Sequence, residues 1–249
     1  MIPKIIHYVS IGPLSESTKR NIDGWKRALP DYEFKRWTEK NWDITQNVFT
    51  KQAYADGKYA FVSDVIRLDV LYRYGGVYLD TDMVVLRGLD EILENDLTLS
   101  FLFDNTVSTS FIAASVHNKH IKNLLEIYKD TNVLKIINKY GTSNNVVFTN
   151  YLLSSFPYFK LDNSLQRLDT TAIIYPKEYF SLETYFGTQT IMYHEFANSW
   201  SPSFSNKKKI ERKLIKALFG AKVLNHLLVY RGKKRNALAK YREQLQKEL

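Results

Sequence analysis

The segment 74-YGGVYLDTDMVVL-86 constrains the fold of this chain more than any other part of its sequence. Two glycines open it, and the short apolar strand that follows them delivers two carboxylates, Asp80 and Asp82, at its end. Because side chains alternate along a strand, both carboxylates lie on the same side of it. Ligands of open α/β sheets bind beyond the carboxyl ends of the strands. The segment therefore predicts a buried strand that leads into a binding site.

Strand-like and helix-like segments alternate along the chain, which is typical of an α/β fold with a mostly parallel sheet. Residues 2–9 and 97–103 are strand-like, whereas residues 15–29 and 60–74 are helix-like. Gly75 follows the second of these helices at the position where a glycine commonly ends a helix. The sequence contains no internal repeat, so we expect a single Rossmann-type domain.

The positive charge of the chain is concentrated at its C-terminus. Residues 206–249 contain 14 Lys/Arg and 3 Asp/Glu, whereas residues 1–205 contain 21 basic and 23 acidic side chains. A patch rich in Ser, Pro and Asn at 199–206 separates the two parts. We therefore expect a nearly neutral folded domain over 1–205 and a basic helical tail over 206–249. Nucleic acid is not an expected partner, because its binding would need basic residues on the folded domain.

Composition also restricts the compartment in which the chain works. The chain has no cysteine, which fits a reducing environment. Its first segment, MIPKIIHYVSIG, resembles a first strand more than a secretory signal. No stretch approaches the ~18 apolar residues of a membrane span. We expect a cytoplasmic protein that is peripheral on the cytoplasmic face of the membrane.

The two carboxylates at the end of the strand predict a cation site. Asp80 and Asp82 repel each other unless a cation or a hydrogen-bond donor offsets their charge. Mg²⁺ or Mn²⁺ is a suitable partner, because these ions prefer oxygen ligands and commonly share their shell with a diphosphate. From these two residues alone, a solvated acidic turn is the alternative.

A second alternative is a phosphatase of the haloacid dehalogenase type, which also places D-x-D after an apolar strand. Those enzymes usually carry this box near the N-terminus and need a downstream acidic pair to complete a magnesium site. Here 79 residues precede Asp80, and no G-D-x-x-x-D segment follows it. The sequence therefore favours another family.

Three segments together resemble glycosyltransferase family 32. They are 2-IPKIIHYVSIG-12, 60-AFVSDVIRLDVLYRYGGVYLDTDMVVL-86 and 194-HEFANSW-200, in the order in which the family has them. Residues 109–128 are similar to the family's middle strand and helix only loosely. The family includes yeast mannosyltransferases, bacterial capsule and lipopolysaccharide enzymes and, more distantly, the glucosyltransferase domains of large clostridial toxins. The resemblance covers residues 2–200 and implies a GT-A-like fold.

The resemblance implies which residues bind a nucleotide-sugar. Asp64 would contact ribose or sugar hydroxyls, Arg67 the donor sugar or phosphate, and Asp80 both the ribose and the donor sugar. Trp200 is similar to the family tryptophan whose indole N–H reaches the leaving phosphate. From spacing alone, Asp64 and Arg67 are i, i+3 neighbours on a helix and equally fit a surface ion pair. Trp200 equally fits core or lid packing.

The resemblance also implies the metal ligands. Asp82 would bind the cation directly, and Glu195 and Asn198 match the metal-facing positions of the toxin domains. The commoner form of the family has a histidine at or beside the position of Glu195, so His194 is a reserve ligand. Without the resemblance, His194 would equally fit an ordinary packing role.

The predicted base pocket departs from the family. Val9 and Ser10 end the first strand, and the family usually has a tryptophan at the position of Ser10, where its ring covers the base. Serine supplies no such platform. A UDP-sugar is the expected donor, and a GDP-sugar is the alternative.

The resemblance implies a metal-dependent retaining glycosyltransferase that moves a sugar from a nucleotide-sugar to a glycan or a lipid-linked oligosaccharide in surface polysaccharide synthesis. A divalent cation would stabilise the departing diphosphate as a Lewis acid. No residue is assigned as a nucleophile. The alternative is a non-catalytic homologue that binds a sugar or a partner. Ser10 favours that alternative, whereas the intact pair of Asp80 and Asp82 opposes it.

The tail predicts an anionic membrane surface as a further partner. As a helix, residues 206–229 align apolar side chains on one stripe and hold most of their cations off it. The stripe consists of Ile210, Leu214, Ala217, Leu218, Ala221, Leu224 and Leu228. Packing of this stripe against the domain or against a second subunit is the alternative.

Overall fold

The computed structural model of the protein describes residues 1–182, 189–196 and 206–234. The strands are β1 (Ile5–Val9), β2 (Glu33–Trp37), β3 (Gly76–Leu79), β4 (Met83–Val85), β5 (Leu97–Phe103), β6 (Thr106–Val107), β7 (Phe111–Ala114), β8 (Gln166–Arg167), β9 (Ala172–Tyr175) and β10 (Met192–His194). The helices are α1 (Glu16–Ala28), α2 (Val48–Ala55), α3 (Tyr59–Tyr74), α4 (Lys119–Glu126), α5 (Val133–Tyr140), α6 (Asn144–Ser155), α7 (Lys177–Phe180) and α8 (Asn206–Lys234).

The central sheet has the order β2-β1-β3-β7-β5-β9-β8, with β6 paired to β5. Strands β2, β1, β3, β5 and β9 run in one direction, whereas β7 and β8 run against them. The predicted α/β class with a mostly parallel sheet is confirmed. Because β1, β3 and β5 run in the same direction, Val9, Leu79 and Phe103 all end their strands at one edge of the sheet.

A second, two-stranded sheet lies beside this edge. Strand β10 pairs antiparallel with β4, and His194 is the pairing partner of Met83. Because β4 begins directly after the two aspartates, the pairing brings His194, the first residue of the predicted C-terminal box, to the D-x-D segment. It thereby joins two parts of the predicted site that lie far apart in the sequence.

The central sheet separates two hydrophobic cores. Helix α3 lies in the first core and is buried around most of its circumference, with Val62, Val65, Ile66 and Leu68 all inaccessible to water. Helix α1 contributes Ile22 and Trp25 to the second core. A helix that is apolar on most sides is stable only when other elements cover it. Helix α3 is therefore fixed rigidly next to β3.

Two glycines allow β3 to pack closely beside β1. Gly75 has φ +62° and Gly76 has φ +99°, which are left-handed backbone conformations that favour glycine. A Cβ atom on Gly76 would lie 2.6 Å from the carbonyl oxygen of Ile5 and 3.1 Å from Nε2 of His7. Both the backbone conformation and the close approach of β1 therefore require glycine at position 76.

A buried histidine supports the same junction. Nε2 of His7 lies 2.8 Å from the carbonyl oxygen of Gly75, and Nδ1 accepts a hydrogen bond of 3.0 Å from Nε1 of Trp37. The ring also stacks against Trp37 and Tyr74. Since Nδ1 accepts, Nε2 carries the proton and donates to Gly75. Burial lowers the pKa of His7 to about 4, so the ring is neutral at neutral pH.

The helix of the tail contains a break that the sequence did not predict. Gly220 has φ +82° and ψ +168°, so residues 206–219 and 221–234 form two helices. Nη2 of Arg231 lies 3.2 Å from Oε1 of Glu211, although 20 residues of straight helix would span about 30 Å. The second helix therefore turns back along the first. Among the described residues, no helix is long and apolar enough to cross a bilayer.

Replacement of Gly76 by alanine is expected to destabilise the protein by about 3 kcal/mol or more, because the new methyl group meets the backbone of β1. Gly141→Ala is the matched control. Gly141 also has a positive φ, but a Cβ atom added there would meet no other atom within 4 Å, so this variant should lose only about 1–2 kcal/mol. Urea unfolding of both variants measures the difference, and equal losses would contradict the close approach.

The neutral state of His7 is expected to make stability depend on pH. Its pKa is about 4 when folded and 6.5 as a model value, so the unfolded chain binds more protons between these values. This contribution is complete above pH 6.5, falls as the pH decreases toward 4, and amounts to roughly 3 kcal/mol. Unfolding of the wild type and of His7→Gln, which keeps a donor and an acceptor, should show a steeper pH dependence for the wild type. Parallel pH profiles would contradict the assignment.

Candidate functional site

The D-x-D segment forms a tight turn between β3 and β4. The N–H of Asp80 donates to the carbonyl oxygen of Ser110 at 2.9 Å, and the N–H of Met83 donates back to the carbonyl oxygen of Asp80 at 3.0 Å. Helix α1 supports the turn from the other side, since Nδ2 of Asn21 donates to the carbonyl oxygen of Thr81 at 3.1 Å. The backbone of the turn is therefore held at several points.

Three side chains of the described residues converge in front of this turn. Asp80, Asp82 and His194 each offer one ligand atom, and these atoms lie within 4.8 Å of one another. Nε2 of His194 lies 3.1 Å from Oδ1 of Asp82. Two carboxylate oxygens and one imidazole nitrogen form a donor set that suits Mn²⁺ or Mg²⁺. The residues present therefore fit a divalent cation, and the reserve ligand His194 lies at the position where it would bind.

The other expected ligands are placed differently. Oε2 of Glu195 accepts a hydrogen bond of 3.2 Å from Nδ2 of Asn21, and the N–H of Glu195 donates to the carbonyl oxygen of Asp82 at 2.9 Å. Glu195 thus lies beside the three converging side chains without belonging to that group. Asn198 and Trp200 lie outside the described residues. Metal binding by Glu195 and Asn198 stays a prediction.

The ring of His194 has a defined orientation. The N–H of Phe196 donates to Nδ1 at 2.9 Å, so the neutral ring carries its proton on Nε2, toward Asp82. Burial acts to lower the pKa of His194, but Asp82, Asp80 and Glu195 together outweigh burial and raise it. A cation bound at Nε2 would take the place of this proton.

Arg67 is buried at the centre of the site and is anchored by carbonyl groups. Its Nη1 donates to the carbonyl oxygen of Thr109 at 2.6 Å, and its Nε donates to that of Ser63 at 3.2 Å. Only 5% of Arg67 and 6% of Asp64 is exposed, so the alternative of a surface ion pair does not apply. The guanidinium group is instead a fixed positive charge beneath the sheet edge.

This charge pairs with two of the predicted site residues. Nη2 of Arg67 lies 3.1 Å from Oδ1 of Asp64 and 3.5 Å from Oδ1 of Asp80. The hydroxyl of Tyr78 also donates to Oδ1 of Asp80 at 2.8 Å, and its ring lies 4.6 Å from the guanidinium carbon. Burial raises the pKa of Asp64 to about 7, although Arg67 opposes this shift. Asp64, Arg67 and Asp80, predicted separately, therefore form one hydrogen-bonded and ion-paired group.

Two supporting residues were absent from the sequence prediction. Tyr78 precedes Asp80 by two residues, so strand alternation places both on one side, and this spacing could have indicated it. Asn21 contacts Thr81 and Glu195 from α1, and no local pattern marks it. Such a residue is identified only once the helix is placed against β4.

The predicted base pocket lies at the same edge of the sheet. Ser10 follows β1, its N–H donates to the carbonyl oxygen of Trp37 at 3.0 Å, and its own carbonyl oxygen accepts from Nη2 of Arg36 at 3.2 Å. Val9 is buried and packs in the first core. Strand β1 neighbours β3, so both residues lie next to the carboxylates. Their contact with a base stays a prediction.

Comparison with known proteins finds a family that matches part of this chain. Residues 15–99, from α1 to β5, match the family described as glycosyltransferase sugar-binding region containing DXD motif. The matched region includes Asp64, Arg67 and both aspartates of the turn. The D-x-D segment, on which the phosphatase alternative was based, therefore lies within the region that matches glycosyltransferases.

Two relatives come from Schizosaccharomyces pombe. Inositol phosphoceramide mannosyltransferase 3 is 32% identical over 105 residues, covering 37% of this chain and 27% of the relative. Inositol phosphoceramide mannosyltransferase 2 is 38% identical over 106 residues, covering 37% of this chain and 28% of the relative. The chain thus spans about a quarter of the length of these relatives.

Among solved structures, the PaToxG glycosyltransferase shares the fold. The TM-score is 0.51 at 20% sequence identity, and the match covers 63% of this chain and 70% of that structure. This likeness concerns the fold alone. Residues 15–99 thus match the sugar-binding region of DXD glycosyltransferases, and this match and the two yeast relatives support a glycosyltransferase of the family 32 type.

Proposed function

We propose that this chain transfers a sugar from a nucleotide-sugar to a glycan or a lipid-linked acceptor, with Mn²⁺ or Mg²⁺ held by Asp82, Asp80 and His194. The observation that carries the proposal is the convergence of these three side chains beside the buried group of Arg67 and Asp64. When bound, the cation supplies Lewis-acid stabilisation of the departing diphosphate. Glu195 and Asn198 complete its shell in this proposal.

In this proposal, the other residues of the site bind and orient the nucleotide-sugar. Arg67 and Tyr78 hold one oxygen of Asp80, which leaves its other oxygen for the cation or for a hydroxyl of the donor. Asp64, whose pKa is raised to about 7 by burial, faces the same group and hydrogen-bonds to ribose or sugar hydroxyls. Trp200 donates to the leaving phosphate. These fixed partners orient the donor before the anomeric bond breaks.

The donor and acceptor follow from the resemblance and from the relatives. A UDP-sugar is the donor that the family resemblance favours, with its base against Val9 and Ser10. The two yeast relatives are named mannosyltransferases that act on inositol phosphoceramide. Mannose is therefore a candidate for the transferred sugar, and a lipid-linked molecule is a candidate acceptor. The resemblance favours a role in surface polysaccharide synthesis. A panel of UDP- and GDP-sugars, screened by thermal shift with Mn²⁺, distinguishes the donors.

We further propose that α8 attaches the protein to the cytoplasmic face of an anionic membrane. Several of its apolar side chains are exposed, with 72% of Leu218 and 64% of Phe219 accessible to solvent. Arg212 and Lys216 instead contact the segment around His194. An exposed apolar ridge on a basic helix is suited to the boundary between headgroups and acyl chains.

Asp82→Asn is expected to reduce metal-dependent hydrolysis of the donor and sugar transfer by about 100-fold or more, because it removes a charged metal ligand. The melting temperature without metal should change little. Asp130→Asn, which neutralises an exposed acid outside the predicted site, is the control and should retain full activity. Full activity of Asp82→Asn, or of the wild type in EDTA, would refute the metal site. Metal and donor binding without any turnover would support the non-catalytic alternative.

The full chain is expected to float with vesicles of anionic lipid at low salt and to detach as salt increases. Leu218→Asp should weaken this binding by about tenfold or more, because a buried leucine contributes about 2 kcal/mol. Ser17→Asp, which adds the same negative charge at an exposed position of α1, is the control and should leave vesicle binding nearly unchanged. If Leu218→Asp instead abolishes a dimer while the wild type ignores vesicles, the ridge is a subunit interface and the membrane proposal is wrong.

A further inference from the structure

We propose that Arg212 is a positioning residue for His194, so that the first half of α8 is part of the metal site. This inference rests on the proposed function, because it concerns the same cation. Composition assigned Arg212 to a separate basic tail, and nothing in the family motif includes it. The geometry of the residues around His194 carries the inference.

Three consecutive contacts connect the helix to the carboxylates. Nη1 of Arg212 donates to the carbonyl oxygen of Phe196 at 2.9 Å. The N–H of Phe196 donates to Nδ1 of His194 at 2.9 Å, and Nε2 of His194 lies 3.1 Å from Oδ1 of Asp82. Both polar backbone groups of Phe196 are therefore engaged, one by the helix and one by the metal-binding ring. A displacement of the helix would be transmitted to His194 through a single residue.

Phe196 has a backbone conformation that needs such support. Its φ is +53°, in the left-handed region, which costs a residue with a Cβ atom about 1 kcal/mol or more. Strained residues of this kind persist where surrounding contacts hold them, and they are common at functional sites. The ring of Phe196 lies 4.4 Å from that of His194 and stacks on Phe103 at 6.3 Å. Arg212 supplies the polar contact on the remaining side.

A second cation of the helix holds the other side of the same segment. Nζ of Lys216 lies 5.7 Å from the centre of the Tyr193 ring. Lys216 follows Arg212 by four residues, so both project from one face of α8. Tyr193 and Phe196 flank His194 in the sequence. The helix therefore contacts the metal-binding segment both before and after its histidine.

The physical consequence is control of ring orientation. A metal site binds tightly when outer partners hold its ligands in position, and loss of one such partner typically costs 10–100-fold in affinity. Arg212 acts one residue further out, through Phe196, so we expect a smaller effect of about three- to tenfold. An Arg212 that only attached the helix to the domain would leave metal affinity unchanged.

The test is direct Mn²⁺ binding to the full chain without donor, measured by the electron paramagnetic resonance of free Mn²⁺. Arg212→Ala should raise the dissociation constant about three- to tenfold, and Arg212→Lys, which keeps a cationic donor, should restore part of the loss. Lys213→Ala is the matched control, because it removes a neighbouring exposed cation and should have no effect. If Arg212→Ala fails to fold, the Mn²⁺ dissociation constants of Arg212→Lys and Lys213→Ala are compared instead, and the constant of Arg212→Lys should be the higher of the two.

A double-mutant cycle identifies the route of the effect. In the background of His194→Ala, Arg212→Ala should cause no further loss of Mn²⁺ affinity, because its action passes through the missing ring. Equal affinities of Arg212→Ala and Lys213→Ala, or an undiminished loss without His194, would overturn the inference while leaving the proposed function intact. A wild type that binds no Mn²⁺ at all would overturn both.

Discussion

The candidate site depends on the ion pairs that the buried guanidinium group of Arg67 makes with Asp64 and Asp80. Asp64 lies on the buried helix α3 and Asp80 follows strand β3, and their mutual repulsion and loss of hydration are costly without an opposite charge. Carbonyl groups of Ser63 and Thr109 fix the guanidinium relative to the sheet. Its charge offsets part of the carboxylate charge before any ligand arrives. In the proposed function, the remaining negative charge attracts the divalent cation.

The local parts of this arrangement could be predicted from the sequence. Gly75, Gly76 and the two aspartates define where α3 ends and where β3 delivers its carboxylates, because each of these features depends on neighbouring residues. The same local reasoning overlooked α5, although Asn132 and Gly141 mark its two ends. The two capping residues were present in the sequence, so α5 could have been predicted from it.

Other parts could not be predicted, because they depend on contacts between distant segments. The pairing of His194 with Met83 and the bonds from Asn21 to Thr81 and Glu195 become visible only in the folded chain. The domain boundary drawn from the charge division stays a prediction. The contact of Arg212 in α8 with the carbonyl oxygen of Phe196, two residues after His194, could not be predicted from composition.

The antiparallel pairing of β4 with β10 has a consequence for the timing of activity. During synthesis the ribosome releases the aspartates of the D-x-D turn long before His194, so an emerging chain holds two ligands without the third. Pairings between distant segments form late, because the intervening chain must first be ordered. If these three side chains bind the cation of the proposed function, a nascent chain therefore has its three ligands together only after β10 has emerged.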